Sequence, residues 1–299
     1  MTVRFAPSPT GAFHIGNFRT AWISHWWAKK LDLPWLVRFE DIDKPRNVAG
    51  AQQRQLDEMR FLGLVPDQIL VQSENHARHR EVFNAFLQEG WIYPCFCSRK
   101  DIRDAVDGLA SAPHGQIPTY NGKCRRLDCY PKTTLPSIAW RLKCDPQAGE
   151  NDFVIARTAL NFMANGSDIT DFVPSYSWAC AVDDYDGCHE LLVRAWDLDH
   201  VTEGQRWIQT LISKREGKKF QFPAVYHCAL VTRDDGGRLE KRTQGVTLPD
   251  LLKAGLSLTE IIAKFEMSFL VPQGSVTNGI ITGESRCSVS LSEIGFGGI

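Results

Sequence analysis

The sequence lacks an excess of charge of either sign. Thirty-four basic residues face 35 acidic ones, a formal net charge of −1. That excludes a global attraction to nucleic acid, so an RNA partner would have to be met by a local basic patch. The chain also lacks any run of 18 apolar residues, so neither a transmembrane helix nor a membrane partner is expected. A charged n-region followed by an apolar stretch is missing from its start, which leaves the cytoplasm as the expected location. Internal repeats are absent. Nine cysteines form an odd set, which does not suit a fully paired secreted framework; it suits free thiols and a metal site in a reducing compartment. What is there is 43% hydrophobic and 23% charged over 299 residues, the composition of a globular protein with one large domain or two ordinary ones.

Short apolar runs at residues 2–5 and 36–40 predict buried strands, and "IGNFRTAWISHWWAKKL" between them has helical spacing. Strand, helix and strand with Gly and Pro at the joins form a βαβ unit, hence a parallel sheet. Trp22, Trp26 and Trp27 fall at helical spacing, which predicts core packing rather than base stacking. "AGAQQRQLDEMRFLGL" and "ENHARHREVFNAFLQEG" predict two further amphipathic helices. From Trp91 to about Cys144 the pattern turns irregular and cysteine-rich, as in an insertion. Strands are expected again at "YSWACAVDD", "HELLVRAW" and "AVYHCALVT", the last closed by the Asp-Asp-Gly-Gly turn at 234–237. Between the last two, Thr202 and Gln205 open a helix with capping-box spacing, and Ser257 and Glu260 do the same for a late helix. After about Leu270 the chain becomes Gly/Ser/Thr-rich, and a loosely ordered tail is expected.

Two stretches carry chemistry. In "RFAPSPTGAFHIGN" a strand breaks through a Pro/Gly turn into a helix, so that backbone N–H groups and the helix dipole converge on one place suited to an anion. Gly16 would admit a nucleotide close to the backbone and His14 would donate to phosphate. An ordinary turn with a half-buried histidine is the competing view. In "VRFEDIDKPR" alternation places Arg38 and Glu40 on one strand face, with Glu40, Asp41 and Asp43 crowding the carboxyl end, where open α/β sheets bind ligands. An acidic residue there could hold an amino group; a solvated charged loop is the alternative.

Taken together, "RFAPSPTGAFHIG" and "RFEDID" followed by "PR" resemble class I aminoacyl-tRNA synthetases of the glutamyl type, and "PSYSWACAVDD" and "LLVRAWDL" extend the resemblance over roughly residues 2–265. It implies an α/β fold, a Rossmann-type nucleotide-binding parallel sheet in two halves (1–92 and 146–245). A zinc-binding insertion (93–145), a small helical C-terminal region (246–270) and the tail (271–299) complete it. It also implies ATP-dependent activation of L-glutamate with Mg2+. Arg4, Ala6, Ser8, Glu40, Tyr176 and Arg194 would line the glutamate site, Glu40 taking the α-amino group and Arg194 a carboxylate. His14, Gly16, Asp197, Arg238 and Lys241 would bind ATP, with His14 and Lys241 catalytic. Asn17 stands where the first motif ends in histidine, as is common in the glutamyl branch. The chain departs from the family in two places. Ala195 and Trp196 replace the Gly-containing turn before Asp197, where the Trp could reshape the adenosine pocket. In "GGRLEKRTQG" Glu240 replaces a serine beside the triphosphate. A carboxylate ~4 Å from phosphate opposes binding by a few kcal/mol at an effective dielectric near 20, unless it turns outward to Arg238 or Arg242.

The cysteines pose a separate question. "CFC" puts Cys95 and Cys97 on one face of an extended segment, and "YNGKC" supplies Tyr120 and Cys124, with His114 or Cys129 able to stand in for Tyr120. Buried free thiols are the alternative, and Cys144, Cys180, Cys188 and Cys228 are expected in the core. Cys-x-Cys…Tyr-x3-Cys resembles the structural zinc site of glutamyl-queuosine tRNA(Asp) synthetases, short relatives within the family. A discriminating glutamyl-tRNA synthetase would need a further anticodon-binding region of ~150 residues. About 30 residues follow Leu270, so that reading is set aside. The resemblance implies a monomer that glutamylates queuosine in tRNA(Asp). The competing class is a catalytically weak paralogue that binds glutamate, nucleotide or RNA, or an active enzyme with another acceptor.

Overall fold

The computed structural model describes residues 1–98, 101, 120, 122–126, 137–144, 151–159, 171–237, 239, 246–269, 276–277, 280–281 and 283–297. Along the chain the elements are β1 (Val3–Phe5), α1 (Ile15–Leu31), β2 (Trp35–Phe39), α2 (Ala51–Phe61), β3 (Gln68–Val71), α3 (His76–Gln88) and β4 (Ile92–Cys95). Then come β5 (Ser137–Leu142), β6 (Phe153–Ala159), β7 (Val173–Pro174), α4 (Tyr176–Gly187), β8 (Leu191–Ala195), α5 (Thr202–Glu216), β9 (Ala224–Cys228) and β10 (Leu230–Thr232). The last are α6 (Leu248–Lys253), α7 (Leu258–Ser268), β11 (Val276–Thr277), β12 (Ile280–Ile281) and β13 (Ser288–Ser290). They group into two compact units, one of Met1–Glu74, Asp183–Arg206 and Gly217–Ile299, the other of Asn75–Val182 and Trp207–Glu216.

The first unit is built on a five-stranded sheet in the order β3-β2-β1-β8-β9, parallel at every pairing. The chain leaves β1 for β2 and β3 on one side and returns to β8 and β9 on the other, so the winding reverses between β1 and β8. Val37 and Phe39 of β2 join Phe18, Trp22 and Trp27 of α1 in one core, with Trp26 packed against its edge. The tryptophans of α1 are thus core residues, as their spacing predicts. Residues 224–232, expected as one strand, break at Ala229: β9 stays in the main sheet, and β10 pairs in parallel with β13.

The stretch "YSWACAVDD", expected as a strand, is instead helix α4. Trp178, Ala179, Cys180, Ala181 and Val182 are all fully buried. A helix buried all round carries no polar stripe, so its sequence shows an apolar run instead of a 3.6-residue period. The expected loose tail is also corrected over its described part. Val289, Leu291, Ile294 and Phe296 are buried in the core of the first unit, and β13 is a paired strand. Cys144, Cys180 and Cys228 are buried as expected, but Cys188 is exposed, in a left-handed turn with φ 47°.

The second unit contains the antiparallel sheet β4-β5-β6-β7. Phe83 packs edge-on against Trp140 and Trp178, and Phe86 against Trp178. The unit starts at Asn75 and takes in β6 and β7, a wider span than the insertion expected at 93–145.

Candidate active site

In an open α/β sheet the crevice for a ligand lies at the carboxyl ends of the strands, where the strand order reverses. Ala6 and Ser8 follow β1, Glu40 follows β2, Arg194 is the next-to-last residue of β8 with Asp197 just beyond, and His14 and Gly16 stand at the start of α1. The fold therefore brings seven of the expected residues to one edge of the first unit. Arg4 lies within β1. Tyr176 opens α4, in the second unit, and is exposed. Arg238, Glu240, Lys241, Arg242, His114 and Cys129 lie outside the described residues.

His14 is the N-cap of α1, and its Nδ1 accepts the Gly16 N–H at 3.1 Å. The proton of the neutral ring must then sit on Nε2. Asn17 completes a capping box, its Oδ1 accepting the His14 N–H at 3.3 Å. The Asn that stands in place of the motif's last histidine thus has a local physical role as a cap. Ile15 N–H donates to Val246 O at 2.8 Å, so the first amides of α1 serve the chain itself. Gly16 is closely packed: a Cβ there would lie 3.0 Å from His14 Cε1 and 3.4 Å from Val231 Cβ.

The loop after β1 is braced from two sides. Gln55 of α2, fully buried, donates to Ser8 O at 3.2 Å and Gly11 O at 2.7 Å, and Glu40 N–H donates to Pro7 O at 2.9 Å. The three crowded carboxylates separate. Asp41 accepts from the Ser73 N–H and hydroxyl, Asp43 pairs with Arg46 at the surface, and Glu40 alone is buried, 3.3 Å from Arg38.

Beside Glu40 lies a charge network with no local signal in the sequence. Arg4 donates through Nε and Nη2 to Asp184 of α4 at 3.2 and 2.5 Å, and Arg38 Nη1 reaches the same carboxylate at 2.6 Å. Asp183 stands 3.7 Å from Arg38 and accepts from Gln72 at 2.7 Å. Burial would raise the Asp184 pKa, but the Arg38 and Arg4 guanidinium groups outweigh it and hold the carboxyl well below the usual range. His189, 3.7 Å from Asp184, is pushed down to about 4 by burial and by the same two arginines, against the pull of Asp184. Its Nδ1 shares a 2.7 Å hydrogen bond with the Thr2 hydroxyl.

Arg194 is 4% exposed and donates to three uncharged acceptors: His227 Nε2 at 3.2 Å, Gln205 Oε1 at 2.7 Å and Thr202 Oγ1 at 2.5 Å. Thr202 and Gln205, expected as a capping pair, thus spend their oxygens on this guanidinium. Burial and the Arg194 charge push His227 down to about 4, keeping it neutral and able to accept. Trp196 lies edge-on to His227 with ring centroids 5.9 Å apart.

In the second unit the thiols of Cys95, Cys97 and Cys124 lie within 4.8 Å of one another. In a tetrahedral zinc site with bonds of about 2.3 Å, sulfurs stand about 3.8 Å apart, so this set fits such an ion. The Tyr120 hydroxyl is 3.7 Å from Cys95 Sγ and accepts the Cys124 N–H at 2.7 Å, which places a fourth oxygen donor beside the three sulfurs. Arg141 lies over the Tyr120 ring at 3.7 Å, a buried cation beside a cluster that becomes anionic on binding metal.

The parallel sheet, its reversal point and the capped helix there define a Rossmann-type nucleotide-binding domain. Residues 1–258 match the family of class I tRNA synthetases (E and Q), catalytic domain, and the chain belongs to that family. It is 33% identical over 275 residues to a glutamyl-Q tRNA(Asp) synthetase of Nocardia farcinica, covering 90% of this chain and 85% of that protein. A second of the same name, from Prochlorococcus marinus, is 33% identical over 95% of this chain and 87% of its own length. A glutamate–tRNA ligase of Bacillus licheniformis is 30% identical over 82% of this chain, but the match spans only 52% of that ligase. The fold is shared with the glutamate-tRNA synthetase of Elizabethkingia anophelis, at a TM-score of 0.60 and 21% identity over 86% of this chain and 54% of that one.

Proposed function

We propose that this protein activates L-glutamate with ATP and transfers the glutamyl group to queuosine in the anticodon loop of tRNA(Asp). The observation that carries the proposal is the edge between β1 and β8, where the Glu40 carboxylate, the Arg194 guanidinium and the His14-capped helix stand together. The relatives named glutamyl-Q tRNA(Asp) synthetase, which the chain matches over most of their length, support tRNA(Asp) as the acceptor. Glu40 holds the α-ammonium group, Arg194 takes the side-chain carboxylate, and Arg4, Ala6 and Ser8 close the glutamate site. His14, Gly16, Asp197, Arg238 and Lys241 bind ATP, which brings Mg2+ with it. An oxygen of the glutamate α-carboxylate attacks the α-phosphorus and pyrophosphate leaves; the queuosine hydroxyl then attacks the carbonyl carbon and AMP leaves. The residues contribute position and charge, His14 Nε2–H and Lys241 meeting the negative charge as it moves onto the leaving phosphates. Cys95, Cys97, Tyr120 and Cys124 would hold one structural Zn2+, which would tie β4 to the Cys124 turn. The protein acts as a cytoplasmic monomer; among the described residues no helix is long and apolar enough to cross a membrane.

Two outcomes test this. Glutamate-dependent ATP–pyrophosphate exchange is expected, with a fall of roughly a hundredfold in Lys241→Ala, the scale of losing one charged donor to a transition state. Exchange absent from folded, zinc-loaded protein would favour the non-catalytic paralogue that Glu240 suggests, and exchange without transfer to queuosine-bearing tRNA(Asp) would point to another acceptor. In Gly16→Ala the new Cβ crowds the His14 ring, which must shift by a few tenths of an ångström against its cap. It is expected to weaken ATP binding about fivefold in a calorimetric titration, the equivalent of ~1 kcal/mol for a disturbed cap; unchanged affinity would take His14 out of the nucleotide site.

A further inference from the structure

The stretch matched to the family ends at residue 258, yet the described chain continues to Gly297 and packs into the first unit. Its anchor is Glu284, only 2% exposed. The Glu284 carboxylate accepts both terminal nitrogens of Arg19 of α1, one of them at 2.8 Å, and the Ala229 N–H at 2.6 Å. Ala229 is the break at which β10 leaves β9. One buried side chain therefore ties α1 to the start of β10.

Both of those elements bear on His14. Arg19 sits one turn into α1 from the His14 cap, and the neighbouring Thr20 hydroxyl donates to Gly16 O at 3.0 Å. On β10, Val231 is the residue that would touch a Cβ at Gly16. β13 then pairs residue for residue with β10, Leu230 with Ser288 through Thr232 with Ser290. Beyond β10 the Asp234 carboxylate accepts the Ser292 N–H at 2.8 Å and its hydroxyl at 2.7 Å. The C-terminal segment thus grips β10 at both ends and α1 at Arg19, and Val231 of β10 closes on the same Gly16 that the His14 ring bonds.

We propose that the segment from Gly283 to Phe296 is a positioning element of the nucleotide site, with Glu284 fixing the N-terminus of α1 against β10 so that His14 faces the phosphates. This rests on the reading of His14 as an ATP contact. Glu284 touches no substrate; it acts through Arg19 and Ala229. Glu284→Gln keeps the shape and keeps the backbone bond from the residue 284 N–H to His227 O at 3.0 Å, so the Arg194 side of the site is left in place. The effect should therefore fall on ATP and spare glutamate.

The experiment compares full-length unaltered protein, Glu284→Gln and Asp234→Ala at a temperature well below melting. ATP binding is read by calorimetry, and KM for ATP and for glutamate by pyrophosphate exchange. The expected result is a tenfold or greater loss of ATP affinity and rise in KM for ATP in Glu284→Gln, a threefold to tenfold change in Asp234→Ala, and a KM for glutamate within twofold in both. A purely structural tail would lower the melting temperature and leave both constants of the folded protein unchanged, which overturns the proposal. If Glu284→Gln does not fold, the surface variant decides: unaltered ATP affinity in folded Asp234→Ala overturns it. Exchange missing from the unaltered protein would sink the enzymatic reading instead, and calorimetric ATP binding would still judge the tail.

Discussion

Asp184→Asn is expected to cost 3–5 kcal/mol of folding stability, a third or more of what a domain commonly has. Asp184 is buried between Arg4 and Arg38, and both guanidinium groups donate to its carboxylate. Asparagine fills the same space and can still accept a hydrogen bond, so packing is kept and the charge alone is lost. Arg4 then loses the carboxylate it faces and Arg38 keeps the longer contacts to Glu40 and Asp183, and breaking a buried ion pair by removing one partner is among the few ways a single change reaches this size. Asp183→Asn is the control: its carboxylate lies farther from Arg38, at 3.7 Å, so about 1 kcal/mol is expected. Urea unfolding of the two variants beside the unaltered protein separates the cases. Equal effects, or a loss below 1 kcal/mol for Asp184→Asn, would mean that the arginines do not depend on this carboxylate.

Acid should weaken the fold well before its carboxylates titrate. His189 and His227 are both held near 4, mainly by burial, against about 6.5 in an unfolded chain. Above pH 6.5 the two are neutral in either state and nothing is lost. As pH falls from 6.5 toward 4 the unfolded chain takes up protons that the folded chain refuses, so stability drops across that window. The loss is roughly 3 kcal/mol for His189 and less for His227, whose ring lies nearer solvent. Asp184 adds nothing there: its depressed pKa contributes stability that is lost only as the pH falls below the ordinary carboxylate range. Urea midpoints at pH 7.5 and 4.5 should therefore differ sharply, and His189→Gln should flatten the difference. A midpoint that does not move between those pH values would contradict the neutral state assigned to His189.

What could be foreseen in the sequence was local. The β1–α1–β2 unit was legible because its strands are short apolar runs and its helix keeps a 3.6-residue period. The thiol cluster was legible because Cys95 and Cys97 share a face and Cys124 follows a turn. Helix α4 was not, since burial on all sides erased the period by which a helix is recognised. Asp184 could not be ranked above its neighbours in "AVDDYDG", because its partners Arg4 and Arg38 come from strands far earlier in the chain. The tail was misjudged for the same reason: its composition is that of a linker, but Glu284 meets an arginine 265 positions away. Gln55 offered no signal at all, being one glutamine among several in an amphipathic helix.

The position of β1 has a consequence for how this protein comes into being. It is the central strand, bonded to β2 on one side and β8 on the other, with Val3 opposite both Trp35 and Leu191. During synthesis β2 emerges soon after it, but its second neighbour is not made until the ribosome has passed residue 190. Until then one edge of β1 has no partner, and Arg4 waits for Asp184 for nearly as long. The nascent chain must carry an open sheet edge until β8 is made, and pairings this distant in sequence form slowly. The strand at the centre of the finished sheet is the one that spends longest incomplete.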